Sequence, residues 1–334
     1  MSITTDPPIG AGPSGTPEEV ARAIPTLRSR SDRVYRAIAT AAGLTTLLLM
    51  GAIGLFLFLK GVPALRSAGM SFFTETKWSP DEAHPTFGIA AVMWGTFVIA
   101  IIALVIAVPI SLASALFISE YAPRRVRGPL TALVDLLAAV PSLIYGLWGF
   151  FFLQPRLIHV SRWLTDNVSF IPVFKTDKPD FSSSAFIAGV VVSLMVIPIA
   201  TSVMRQVFAL TPPSEKEGAL ALGGTRWGMI RAVVLPFGRG GIIGGSMLGL
   251  GRALGETIAV TLIISPVFLI SGKILQTGTN SVASLIALRF GDSKERGISA
   301  LMAAGFTLFI VTLVVNTIAS VLVSRSRSGA GVEL

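Results

Sequence analysis

Two ionisable residues stand four apart in a stretch that is otherwise free of charge. Arg252 and Glu256 are the only charged residues in the 33 positions between Arg239 and Lys273. An ionised group at bilayer depth costs about 3 kcal/mol on insertion scales, so each is a functional candidate by default. Positions i and i+4 share one face of a helix. Two chemistries fit this pattern. One is an ion pair facing the interior of a helix bundle. The other is an oxyanion site, in which the forked donors of the Arg252 guanidinium match a tetrahedral anion. Glu256 would then hold the arginine while the site is empty, or take a proton from the substrate. A pair that opens to admit an anion is both. Asp135 is a third such charge, alone between Arg127 and Arg156. It reads either as a hydrogen-bonded interior carboxylate or as an alternate partner of Arg252. Pro141 and Ser142 follow it. A proline within a span implies a kink, with the Ser142 hydroxyl available to satisfy the freed carbonyl. Ser142 and Tyr145 are second-rank candidates for touching a substrate.

A second constellation is structural. Pro212 and Pro213 stop one helix. Ser214 with Glu217 forms a Ser-x-x-Glu capping pair that opens another. Gly223 and Gly224 end that helix in a left-handed turn, and a further short helix from Trp227 to Leu235 ends at Pro236. The sequence Glu217-Gly-Ala219-Leu-Ala-Leu-Gly223 through Leu235-Pro236 therefore builds a helix–turn–helix between two apolar stretches. The physics alone leaves it as an amphipathic surface hairpin or a docking element.

Other chemistries are excluded. With no cysteine there is no disulfide, thiolate metal site, cysteine nucleophile or iron–sulfur cluster. Two histidines are too few for a His-based metal site or proton relay. There is no G-x-x-x-x-G-K-[ST] phosphate loop. Gly249, Gly251 and Gly255 have the wrong spacing for a dinucleotide fingerprint. A nucleic-acid partner would need a soluble basic face, and none is evident.

The elements that must position these residues follow from composition. Charged residues are 13% of 334, about half the usual quarter, and mean hydropathy is +0.74. Six windows of 23 to 37 residues are nearly free of charge, and a membrane-crossing helix needs about 20. The sequence therefore predicts an all-α polytopic membrane protein with spans near 36–60, 88–118, 128–154, 184–208, 240–270 and 299–324. Pro109 is read as a kink within one helix and not as a break between two. Residues 1–33, rich in Pro, Gly and Ser, read as a disordered tail, and 325–334 as a second tail. The first apolar segment is too long for a signal-peptide core and stays as a helix. With both termini cytoplasmic, inner segments carry a net +7 and outer loops +3, in line with the positive-inside rule; Arg124, Arg125 and Arg127 are the strongest local marker. The outer loops hold Phe72, Phe73, Trp78, Trp163, Phe170, Phe174 and Phe290, read as interfacial anchors or as a docking surface. Gly241, Gly245 and Gly249 form a small-xxx-small row, which implies a helix pressed against that face. A partner subunit is the expected source of that helix.

Against this background the chain resembles a known family. Glu217, Ala219, Gly223, Leu235 and Pro236 fall at the spacing of the EAA loop of ABC-importer permeases, with Gly218 where the pattern has Ala and Val233 where Ile is usual. Gly251-Arg252-Ala-Leu-Gly255-Glu256-Thr-Ile-Ala-Val is similar to a segment of phosphate-uptake permeases of the PstC type. Pro141-Ser142-Leu-Ile-Tyr145-Gly146-Leu-Trp148-Gly149 and Phe87-Gly-Ile with Trp94-Gly-Thr96 are similar to that family as well. The resemblance covers roughly residues 34–324.

It implies a type I ABC importer permease fold and an ATP-driven import of inorganic phosphate. It also implies a multi-pass place in the plasma (inner) membrane. The implied partners are a second permease subunit of the PstA type, two ATPase subunits that bind ATP and magnesium, and an extracytoplasmic phosphate-binding protein. The 209–237 loop becomes the surface that couples to the ATPase. Arg252 and Glu256 become pathway residues, and no cofactor belongs to the chain itself. Two alternatives stay open: a permease of the same architecture for another oxyanion or solute, and an ion-driven secondary transporter. Secondary transporters usually show inverted repeats and broken helices, and the sequence shows no convincing repeat.

Overall fold

The computed structural model describes residues 30–177 and 180–326. Most of the expected tails, 1–29 and 327–334, lie outside that range. The chain divides after Gly51. Residues 30–51 belong to the first unit and are helical throughout, with every side chain exposed. This is the first part of α1 (Arg30–Ala68), so helix already covers positions 30–33 that were read as tail. Leu47 and Leu48 are 67% and 72% exposed. A helix segment that is apolar on all sides has lipid or a partner chain as its natural surroundings.

The second unit, from Ala52 onward, holds the rest of α1 and thirteen further helices. A one-turn α2 (Ser71–Thr74) leads into a small antiparallel hairpin, β1 (Trp78–Ser79) and β2 (Thr86–Phe87). Then come α3 (Ala90–Leu116), closed by a wide π turn over Phe117–Tyr121, and α4 (Arg124–Ala139). Next are α5 (Ser142–Trp148), a second π turn over Gly149–Leu153, and α6 (Gln154–Val168). They are followed by α7 (Ala185–Ala209), α8 (Pro213–Ala221) and α9 (Arg226–Met229). A third π turn, Ile230–Val234, joins α9 to α10 (Leu235–Phe237). The chain finishes with α11 (Arg239–Gly255), α12 (Ile258–Ile263), α13 (Val282–Arg289) and α14 (Glu295–Ser326).

Four helices are long and apolar enough to cross a membrane alone: α1, α3 with its π turn, α7 and α14. Two bent pairs bring the total to six when each counts as one span. Arg124–Ala139 meets Ser142–Val168 at 90°, and Arg226–Phe237 meets Arg239–Gly255 at 67°. The all-α polytopic fold expected from the sequence is therefore present, with four to six candidate spans, and α3 runs unbroken through Pro109.

Two of the six are not the continuous helices expected. The third, read as 128–154, breaks at Val140–Pro141. The residue before a proline is pushed out of the α region, and Val140 is extended (φ −64°, ψ 129°). The fifth, read as 240–270, ends at Gly255, restarts at Ile258 and stops at Ile263. Pro266 then holds residues 264–267 extended. Apolar composition alone does not separate a helix from an extended buried segment.

The core is built on α3, α7 and α11. Ala103 and Ala107 of α3 and Ala188 and Ala200 of α7 are fully buried, and such small side chains let the two backbones approach. The glycine row of α11 does the same toward α7, within this chain. A Cβ on Gly241 would lie 2.5 Å from Val207, one on Gly245 3.1 Å from Met204, and one on Gly249 2.5 Å from Val196. The expectation of a second subunit on this face is thus corrected.

The outer aromatics divide. Phe72 is fully buried, and Phe72, Trp78 and Phe87 form a small cluster with ring centroids 6.2 and 6.3 Å from Phe87. Phe73, Trp163, Phe170 and Phe290 remain exposed.

Candidate substrate pathway and coupling hairpin

The two helix breaks face each other. Gly146 of α5 sits so close to α12 that a Cβ there would lie 2.8 Å from the Cα of Ala259. The Pro141 break and the Glu256–Thr257 break are therefore brought together by the short helices that follow them. Tyr145 serves the first break. Its hydroxyl donates to the carbonyl of Leu137 at 3.0 Å, one of the carbonyls freed where α4 ends. That role was expected of Ser142, which makes no such bond among the described residues.

Arg252 and Glu256 are not an ion pair, and they do not share a helix face. The helix carrying Arg252 ends at Gly255, and Glu256 is extended (φ −69°, ψ 125°). The i, i+4 argument fails at that residue. Glu256 is buried, at 7% exposure, and its Oε1 accepts from the backbone N–H of Ala259 at 3.3 Å. It therefore caps the restarted helix α12, satisfying one of the donors that a helix start leaves free. Arg252 keeps a buried Nε without a hydrogen-bond partner. Beside it, Gly251 faces Asn316 of α14, whose Oδ1 would lie 3.3 Å from a Cβ at 251.

Asp135 pairs with α7. Its Oδ1 accepts from the Ser202 hydroxyl at 3.0 Å, and its Oδ2 lies 3.8 Å from Arg205 Nη2. The hydrogen-bonded reading holds and Arg252 is not its partner here. The carboxylate is half-exposed, so it is not interior within the isolated chain. Arg205 was not singled out in the sequence because it sits at the edge of an uncharged window.

The hairpin between α7 and α11 has the expected shape, with corrected ends. Pro212 is the N-cap residue of α8, and Ser214 makes no capping bond. Proline in the first turn costs no hydrogen bond because its missing N–H would be unpaired there. The far end is a Schellman turn. Gly223 has φ +81°, its N–H bonds the carbonyl of Leu220 at 3.0 Å, and the Gly224 N–H bonds that of Ala219 at 3.2 Å. Thr225 then caps α9 by accepting from the Gly228 N–H at 3.1 Å. Helix continues past Pro236 to Phe237. The preceding π turn widens the helix just before the proline, a position where the α-helical hydrogen-bond pattern is already interrupted.

The expected coupling residues divide by direction. Ala219 and Leu235 pack against the core cluster, beside buried Met229, Ile230 and Val234. Glu217, Gly223 and Pro236 are exposed. Leu222 and Trp227, which the sequence reading did not select, are 91% and 57% exposed at the tip. The hairpin is also tied to the end of α3: Lys216 Nζ donates to Glu120 Oε1, and Arg226 lies over the Tyr121 ring at 5.8 Å.

The quoted motif around Trp94 positions the outer segment. Trp94 Nε1 donates to the Ser271 carbonyl at 2.8 Å, and the Val282 N–H donates to Thr96 Oγ1 at 3.0 Å. Between them Gly95 lets the Asn280 carbonyl approach to where a Cβ would be.

Residues 107–328 match the family described as binding-protein-dependent transport system inner membrane component. The chain is 41% identical over 304 residues to the phosphate transport system permease protein PstC 2 of Mycobacterium tuberculosis, covering 90% of this chain and 94% of that one. It is 41% identical over 300 residues to the PstC protein of Xylella fastidiosa, covering 89% and 92%. A solved bacterial alginate ABC transporter, in complex with an alginate-bound periplasmic protein, aligns with 86% of this chain and 96% of its own at TM-score 0.52 and 17% identity, a likeness of fold.

Proposed function

Since the chain belongs to the family of binding-protein-dependent transport system inner membrane components, we propose that it is the membrane-spanning subunit of an ATP-driven importer of inorganic phosphate. The observation that carries this is the 41% identity, over 90% of the chain, to a protein named for phosphate transport. The chain is a permease subunit and not an enzyme. It lies in the membrane as a multi-pass protein and contributes half of the translocation pathway.

The finer assignments rest on charge and geometry. The ends that carry Arg124, Arg125 and Arg127, and the hairpin 209–237, face the cytoplasm by the positive-inside rule, and both termini lie on that side. Two ATPase subunits bind ATP and magnesium, and their closure presses on the exposed tip around Glu217, Leu222, Gly223 and Trp227. A second permease subunit of the PstA type completes the pathway. An extracytoplasmic binding protein delivers phosphate at the opposite face. The chain carries no cofactor of its own. Arg252 supplies positive charge at the paired helix breaks. Asp135 and Ser142 border the same region, and Glu256 acts through the backbone it caps.

Broken helices also occur in ion-driven transporters. The breaks here therefore do not separate the two mechanisms, and the family does. The test is phosphate uptake in cells lacking other phosphate carriers. Arg252→Gln should abolish uptake at normal membrane levels, and Arg252→Lys should retain part of it, since it keeps the charge but loses the fork. Undiminished uptake in Arg252→Gln would overturn the site.

A further inference from the structure

Two cationic side chains in the helices of this bundle carry a buried donor with no hydrogen-bond partner. They are Arg252 and Arg205, each through Nε. Buried donors are nearly always satisfied, so an orphaned one calls for an explanation. Arg205 is the less expected case. It lies on α7, four residues before the helix ends at Ala209, and its side chain is only 19% exposed. Its one anionic contact among the described residues is Asp135, at 3.8 Å, the outer limit of an ion pair and too long for a hydrogen bond. Asp135 is itself better held by Ser202, whose hydroxyl is 3.0 Å away and in turn accepts from Gln206 Nε2 at 3.3 Å. The Nε donor of Arg205 therefore remains unpaired while its counter-ion is engaged by Ser202.

The two arginines are linked. Gly146 beside Tyr145 packs on α12, just beyond the break that follows Arg252; Tyr145 bonds the carbonyl of Leu137 at the end of α4, and Asp135 stands two residues earlier on the same helix. The register of α11 on α7 fixes their separation. Gly241 lies against Val207 and Gly249 against Val196, so Arg252 is level with α7 about twelve residues before Arg205, roughly 18 Å along the bundle. The two arginines therefore stand at two levels of the bundle.

We propose that Arg205 is a second oxyanion station, on the cytoplasmic side of Arg252, where phosphate displaces the loosely held Asp135 before it leaves. This rests on the reading of Arg252 as the first station and deepens it. The ligand is a tetrahedral oxyanion with at least one ionised oxygen, and phosphate and arsenate satisfy that equally. Asp135 and phosphate compete for one guanidinium. Neutralising the carboxylate should therefore strengthen phosphate at this station, and removing the guanidinium should weaken it.

The experiment uses the complete transporter in proteoliposomes, with binding protein outside and ATP inside. Uptake of labelled phosphate is measured against increasing unlabelled phosphate in the lumen, and binding-protein-stimulated ATP hydrolysis is followed in parallel. Asp135→Asn should make uptake roughly fivefold more sensitive to lumenal phosphate. Arg205→Gln should lower uptake at least about tenfold and blunt that sensitivity, while Arg205→Lys lies between. Arsenate in the lumen should substitute for phosphate, and chloride at equal ionic strength should not shift the mutants apart. A merely structural pair predicts the opposite pattern. The exchange Asp135→Arg with Arg205→Asp would then restore uptake, and Asp135→Asn would leave lumenal sensitivity unchanged; either result overturns the proposal. Phosphate uptake by the unaltered protein, and its loss in Arg252→Gln, are scored separately, so a failed second station leaves the first intact.

Discussion

Lys216 and Glu120 form a partly buried ion pair, Nζ to Oε1 at 2.7 Å, with side chains 20% and 7% exposed. It fastens α8 of the hairpin to the π turn that ends α3, and α3 packs along α7. A push on the hairpin tip therefore has a direct route into the spans. Removing one partner leaves the other charge partly buried without its counter-ion, at a cost of about 1–3 kcal/mol. Lys216→Met should lower the phosphate imported per ATP hydrolysed, in whatever fraction of complex still assembles. The reversed pair, Glu120→Lys with Lys216→Glu, should recover that ratio. If Lys216→Met keeps full coupling at normal membrane levels, force travels by another route.

The turn of the hairpin makes a second prediction, with an internal control. Gly223 occupies φ +81°, a region that costs a side chain about 1–2 kcal/mol and a β-branched one more. A Cβ on Gly224 would lie 2.6 Å from the carbonyl of Ala219. Gly223→Val and Gly224→Ala should both release α8 from α9 and uncouple ATP hydrolysis from uptake while membrane insertion persists. Gly218, five residues before the turn, has nothing within 4 Å of a Cβ and no positive φ. Gly218→Ala should be neutral, or stabilise α8 by about 0.5–1 kcal/mol. Uncoupling by Gly218→Ala would point to contact with a partner there and not to backbone geometry.

The sequence made the spans, the hairpin and its left-handed turn legible because each rests on local chemistry. Long uncharged windows, paired prolines and paired glycines act within a few residues of themselves. What it concealed depends on distant residues. Glu256 looked like the helical neighbour of Arg252 because nothing between them forbids a helix, yet the chain turns at Gly255 and the carboxylate caps α12. Ser142 looked like the group to satisfy a broken helix, yet Tyr145 reaches back eight residues to do so. Arg205 and Glu120 lay at window edges, where a charge needs no explanation, and only packing shows that each is largely buried.

The glycine row of α11 offers a test of which helix it serves. Adding a methyl to a filled contact typically costs about 1–3 kcal/mol, and a Cβ on Gly249 would lie 2.5 Å from Val196. Gly249→Ala should lower the thermal stability of the detergent-solubilised complex, and Val196→Ala in the same chain should restore it. Gly244, beside the row with nothing within 4 Å, should tolerate alanine. Suppressors that map only to another subunit would move this face back to an intersubunit contact.

Outside the spans, Asp180 sets a pH dependence. The backbone N–H of Ser182 and then its hydroxyl, at 3.1 and 2.8 Å, hold the carboxyl below its ordinary value. The Asp180 carbonyl meanwhile accepts from the Thr277 N–H at 3.1 Å, joining the segments that precede α7 and α13. A depressed carboxyl stabilises above its unfolded pKa, and that contribution fades as pH falls through the folded value. Protease cleavage near 180 should therefore rise once pH drops below about 4, and Asp180→Asn should remove that rise. A cleavage rate independent of pH in the unaltered protein would sink the assignment.

Glu256 separates charge from geometry at the helix break. Its Oε1 accepts from the Ala259 N–H, and no ion pair joins it to Arg252 among the described residues. Glutamine keeps an acceptor oxygen at the same reach, so Glu256→Gln should retain most phosphate uptake. Alanine removes the cap, at a typical cost of about 1 kcal/mol, and loosens the start of α12, which packs against Gly146 and so against the Tyr145 side of the pathway. Glu256→Ala should therefore lower uptake well below Glu256→Gln at equal membrane levels. The double change Arg252→Gln with Glu256→Gln should remain as inactive as Arg252→Gln alone, because the arginine is not there to neutralise the glutamate. Restored uptake in that double mutant would show that the two charges do balance each other during transport, and the capping role would then be secondary.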